Sequence, residues 1–207
     1  MNNPIKKILK HWILILLFGA ITMNHLWAQQ PLTISFLNES TTIPYTTFLN
    51  APVHPGLQIG TEFNWKESRH LHLYPSISIG YLYHKKLFHG LFTNLELGFD
   101  YKTSFGLNLK TKIGLGYLHT FSTQQEFQFN EGAYKSKRDL GNSRAMPSVT
   151  TGIGFRLQPK KANSPEIFVL YQSWVVYPYS PGFIPLMSHT NLHLGVKLFP
   201  FNRKAKK

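Results

Sequence analysis

Ser188 and His189 stand side by side near the C-terminus, a hydroxyl nucleophile next to a base, which is where acyl-transfer chemistry would begin. Such a site also needs an orienting group within hydrogen-bond reach, and Glu166, Ser173 or Ser180 are the candidates upstream of the pair. Consecutive residues of a strand point to opposite faces. In a regular strand these two side chains cannot exchange a proton, so no catalytic residue is assigned. Imidazoles come next. His70 and His72 are two apart, and His84, His89 and His119 gather near the ends of apolar segments. No cysteine exists and no carboxylate stands at a recognisable ligand spacing, so the sequence predicts neither a metal site nor a cofactor. A third set is charged: Glu62, Glu96, Asp100 and Glu166, with Lys110, Lys112, Arg156 and Lys197.

The elements that carry those charges alternate with period two, the signature of strands. Apolar residues alternate with Gly, Ser, Asn, His and the charges along Gly56–Lys66, Leu71–His84, Leu87–Tyr101, Thr103–His119, Ala145–Leu157, Pro165–Tyr177 and His189–Phe199. Leu32–Leu37, with Leu32, Ile34 and Phe36, supplies an eighth. Three connections are short: Glu67–His70, Tyr101–Thr103 and Gln158–Ser164. Three are long: Asn38–Pro55, Thr120–Arg144 and Pro178–Ser188, while His84–Phe88 is a short turn on their side.

The charged share is 15%, well below the roughly 25–35% of a solvated surface. Something other than water is expected to cover part of the exterior. The net charge of +13 gathers at the ends and in one polar stretch, at Lys6, Lys7, Lys10, Lys135, Lys137, Arg138, Arg144, Arg203, Lys204, Lys206 and Lys207. That distribution does not make the basic face with exposed aromatics that a nucleic-acid partner requires. Lys6, Lys7 and Lys10 precede the apolar run Trp12–Ile21, which has the length of a signal-peptide core and is too short to span a bilayer as a helix. We expect cleavage after Ala28, so residues 1–28 are a signal peptide, 29–201 the exported domain and 202–207 a basic tail.

Aromatics bracket the aliphatic band of the strands. Trp65, Phe99, Tyr101, Phe105 and Phe155 fall at one end, and Tyr81, Tyr83, Tyr117 and Tyr177 at the other. Two such girdles mark membrane interfaces. With its export signal and Gly-rich polar face, the chain resembles the small outer-membrane β-barrel proteins of Gram-negative bacteria. The resemblance implies an all-β, antiparallel, up-and-down transmembrane barrel of eight strands, with outer-membrane lipid around it and the charged set in its lumen. It also implies recognition by the barrel-insertion machinery through a C-terminal strand. Leu192, Leu194, Val196 and Leu198, followed by Phe199 or Phe201, resemble that signal, although the basic tail departs from the usual terminal aromatic. The lipid A deacylases of this kind use a His-x-Ser pair, and His189-Thr190-Asn191 lacks its serine.

The expected role is therefore a structural, binding or accessory component of the envelope, non-catalytic, with a largely plugged lumen. A narrow channel and an acyl-hydrolase-type enzyme are the alternatives. Interior charges are tolerated only when paired, so the balanced set predicts a polar core, with bulky His72, Tyr74, Phe92 and Trp174 on the same face. The Pro-rich apolar stretch holding Tyr177, Tyr179, Phe183, Ile184, Leu186 and Met187 is the expected contact for another envelope protein. Arg at Leu95 or Ile113 is expected to cost more than Arg at Asn94.

Overall fold

A computed structural model describes residues 30–46, 52–130, 132–161, 163–180 and 182–200. The expected signal peptide, its cleavage site, Phe201 and the basic tail lie outside the described residues. The strands are β1 (Leu32–Ser40), β2 (Pro55–Glu62), β3 (Lys66–Glu67), β4 (Leu71–Tyr83), β5 (Phe88–Lys102), β6 (Leu107–Ser122), β7 (Glu126–Asn130), β8 (Ala133–Lys137), β9 (Asn142–Arg156), β10 (Glu166–Val176) and β11 (Met187–Leu198).

Every pairing is antiparallel. The order β2-β1-β11-β10-β9-β6-β5-β4 closes on itself through β2 and β4, giving a barrel of eight strands with β3 as a short continuation of β2. Closure leaves no free sheet edge, the condition for a sheet to stand in lipid. Each β1 residue from Leu32 to Asn38 has partners on both β2 and β11, so the first and last strands seal the wall. Both ends of the barrel chain lie at one rim, and the long connections lie at the other.

Alternation sorts the side chains. Along β5 the inward Phe92, Asn94, Glu96 and Asp100 are buried, while the intervening Leu91, Leu95, Leu97 and Phe99 are exposed. Leu95 is 64% exposed and its cross-strand partner Leu115 the same, in a barrel whose inward residues are nearly dry. Such an apolar belt is stable only against hydrocarbon. Replacing Leu95 or Ile113 with Arg is expected to cost about 2–4 kcal/mol, and Tyr83→Arg at the rim about 0–1. Urea titration of the refolded barrel in lipid vesicles checks the difference. Asn94 is not the tolerant control its polarity suggested. It is 1% exposed, and its side-chain oxygen occupies the space above Gly116, so an arginine there has no room.

Several boundaries differ from the sequence reading, each for a physical reason. β2 stops at Glu62 because the next partner is Pro75, which accepts from the Phe63 amide (2.8 Å) but has no N–H to return. β1 continues to Ser40, and β6 and β9 run past their predicted ends to Ser122 and Asn142. The predicted loop 120–144 then rises as the β7–β8 hairpin, turned at Gly132 in a left-handed conformation (φ 80°) and carrying Phe129 against Tyr134 at 5.3 Å. At its base Asp139 accepts the amides of Ser122 (2.5 Å) and Gly141 (2.7 Å). Partial burial works the other way, but these amide bonds hold its carboxyl below the usual range. β11 begins at Met187, which therefore belongs to the wall and not to the preceding loop.

Candidate functional site

The lumen is filled in layers. Nearest the rim of the chain ends, Lys110 on β6 reaches Asp100 on β5 at 2.6 Å and Glu166 on β10 at 2.8 Å. β9 lies between β6 and β10, and Gly154 is what lets the pair meet across it. A Cβ on Gly154 would stand 2.3 Å from the Glu166 oxygen and 2.8 Å from the Lys110 stem. Glu62 pairs with Lys197 across β1 and faces Lys112 at 3.9 Å, and Lys112 faces Glu96 at 3.6 Å. Tyr74 lies over Gly98, whose missing side chain makes room for the ring. Its hydroxyl donates to Asp100 (2.8 Å), and its ring lies 5.9, 5.6 and 5.5 Å from the amines of Lys110, Lys112 and Lys197. Asn108 completes the shell by donating to Glu166 (2.5 Å) and Thr150 to Glu96 (3.3 Å).

Seven of the eight charges singled out in the sequence thus form one transverse belt. Arg156 is separate: although its register partner is Glu166, its guanidinium donates to the Thr103 carbonyl (3.3 Å) at the turn. Below the belt a vestibule of about 210 Å³, lined by Glu67, His72, Lys102, Arg156 and Phe199 among others, opens at the rim.

Above the belt lies a neutral polar layer. His193 meets Ser35 (3.2 Å) and Gln172 (3.3 Å), and Asn191 donates to Gln172 (2.8 Å). The cavity left here is about 20 Å³, room for about one water. Higher still the lumen becomes apolar: Leu37, Leu82, Phe88, Phe92, Leu118, Met146, Trp174 and Val176 pack together, with Tyr179 closing over them. Arg144 lies over the Tyr179 ring at 5.2 Å and donates to its carbonyl at 2.9 Å.

A second polar cluster, which the sequence reading did not find, sits at the loop end of this apolar layer. Glu39, fully buried, accepts from His189 Nδ1 at 2.7 Å, and His189 stacks on Trp174 at 4.4 Å. His54 and His84 stack on each other at 3.6 Å beside the same carboxylate. Burial holds the His84 imidazole below its ordinary pKa, against the opposing pull of Glu39. The only signal available was that Ser35, Leu37 and Glu39 share one parity. His84 therefore joins His54, while His89 and His119 pack around Phe121 and His70 meets the Lys102 carbonyl.

Ser188 and His189 face opposite sides of the wall. The serine donates outward to the Thr42 carbonyl (3.0 Å), and the histidine is buried inside. Glu166 is committed to Lys110 at the other end of the barrel. In the Pro-rich stretch Phe183 is 83% and Leu186 57% exposed, while Tyr179 turns inward over the mouth.

Closed strand pairing, an apolar exterior and a filled polar interior define the class: a small transmembrane β-barrel. No protein-family model and no curated relative matches the chain. Among solved structures the chain is similar to Neisserial surface protein A, at 9% identity over 83% of this chain and 96% of that one, with a TM-score of 0.48. It is also similar to Ail, the attachment invasion locus protein of Yersinia pestis, at 13% identity over 82% and 97%, TM-score 0.46. A third is the outer membrane enzyme PagL, at 12% identity over 81% and 98%, TM-score 0.46.

Proposed function

We propose that this barrel is a non-conducting anchor of the cell envelope that works through what it displays at its outer mouth. The observation that carries this reading is the double closure of the lumen, an ion-paired belt below and an apolar plug above. A solute path would have to break both. In this reading residues 1–28 direct export, the C-terminal strand engages the insertion machinery, and outer-membrane lipid surrounds the belt. The β7–β8 hairpin and the Tyr177–Leu186 loop are the surfaces offered to another envelope protein. Exposed Phe129 (62%), Tyr134 (76%) and Phe183 (83%) are unusual for a hairpin and a loop that face only water. The acyl-hydrolase alternative finds no support in the placement of Ser188 and His189.

Liposome swelling tests the anchor reading. Vesicles carrying the refolded barrel should swell in small sugars no faster than protein-free vesicles. Swelling that scales with barrel density and falls with sugar size would favour the channel alternative.

A further inference from the structure

We propose that Glu39, His54 and His84 form a binding site for one divalent transition-metal ion at the outer mouth of the barrel, zinc being the ion that best suits one carboxylate and two imidazoles. The three residues come from separate parts of the chain: the end of β1, the segment entering β2 and the turn after β4. One ligand atom from each lies within 4.8 Å of the others.

The carboxylate is set up for a cation. Its Oε1 is held by His189 (2.7 Å) and Thr41 (3.3 Å), which leaves Oε2 directed at the two rings. Oε2 is buried and accepts no hydrogen bond among the described residues. His54 Nδ1 stands 3.7 Å and His84 Nε2 4.0 Å from it. Ligand atoms around a tetrahedral zinc are about 3.4 Å apart, so loading requires closure by about 0.3 and about 0.6 Å at the two carboxylate contacts and by up to about 1.4 Å between the rings, which must also turn out of their stack so that both nitrogens aim at the ion. A buried carboxylate oxygen without a donor is costly, and an ion between these atoms removes that cost.

The protons can be accounted for. His54 Nδ1 donates to the Glu39 backbone carbonyl at 3.1 Å; ligation through Nδ1 gives up that bond and moves the ring proton to Nε2. His84 Nδ1 accepts the Lys86 amide at 3.3 Å, which turns Nε2 toward Glu39. Ligation through Nε2 moves the ring proton to Nδ1 and gives up that long bond. His189 is a positioning residue: it orients the carboxylate in the way that outer hydrogen bonds orient metal ligands. With three protein ligands the fourth position is open to water. Bound metal would pin the segment entering β2 and the β4–β5 turn to the end of β1.

The test uses the refolded, chelator-treated barrel in detergent, titrated calorimetrically with zinc chloride and examined spectroscopically with cobalt. We expect saturable binding of one zinc per chain and the d–d absorption of tetrahedral cobalt. His54→Asn, on a partly buried residue outside any strand, and Glu39→Gln should each weaken binding by more than about 100-fold. His189→Asn should weaken it about 10- to 100-fold, and the double variant His89→Asn/His119→Asn should leave it unchanged. Absence of saturable zinc binding by the wild-type barrel would overturn the proposal. So would binding that survives Glu39→Gln, loss of binding in the His89/His119 control, or an octahedral cobalt spectrum. Because the cobalt spectrum is read on the unmodified chain, the outcome does not depend on any variant folding.

Discussion

Lys110→Met is expected to cost the barrel about 3–5 kcal/mol, the usual consequence of removing one partner from a buried ion pair. Lys110 stands between Asp100 at 2.6 Å and Glu166 at 2.8 Å, with the lysine and both carboxylates almost wholly buried. Without the ammonium two carboxylates share one dry site. Their remaining donors, Tyr74 for Asp100 and Asn108 for Glu166, are neutral. The charges themselves are not what makes the site sound, because a buried pair replaced as a whole by neutral groups is often tolerated. Hence Asp100→Asn and Glu166→Gln added to Lys110→Met should recover most of the loss. Urea unfolding in lipid vesicles, followed by far-ultraviolet circular dichroism and by heat-modifiable migration on gels, measures both. If the single variant is as stable as the parent, the belt is hydrated and its charges are independent.

Trp174→Ala should cost about as much, about 3–5 kcal/mol, by a different mechanism. Trp174 is 1% exposed and lies among the apolar residues of the upper lumen, stacked on His189. An alanine leaves a void that the stiff barrel wall cannot collapse to fill. The same unfolding titration gives the size of the effect. The charged belt lies at the other end of the barrel, so this variant should destabilise without conducting. A Trp174→Ala barrel that is less stable and still electrically silent separates the two closures. One that conducts would mean that the belt alone does not close the lumen.

Much of this architecture was legible because period two is a strong signal where one face meets lipid. Leu95 and Asn94, or Ile113 and Lys112, cannot exchange faces without placing polarity in hydrocarbon, so parity alone assigned the lumen set. Parity fixes the face but not the partner. Glu62 pairs with Lys197 from the far end of the chain, a contact that exists only once β1 has sealed against both β2 and β11. Arg156 has inward parity too, yet at the turn a backbone carbonyl is the nearer acceptor. The Glu39 cluster was hidden because Asn38–Thr41 is a polar run that reads as loop, and His54 lies beyond it in sequence. Closure of the barrel, not local pattern, brings them together. The β7–β8 hairpin was missed for a related reason. Its strands are short and polar, so its alternating Phe127 and Phe129 read as scattered aromatics.

In the proposed reading two successive layers close this lumen, and single-channel recording in planar bilayers shows whether they do. Purified wild-type barrel inserted from detergent should give no stable current steps at any applied voltage. Simultaneous thinning of both layers, by Trp174→Ala and Phe92→Ala above with Lys112→Ala and Glu62→Ala below, should produce them in whatever fraction of the protein still folds. Reproducible, unitary conductance from the wild-type protein, abolished by Gly114→Trp on the inner face, would make the barrel a channel.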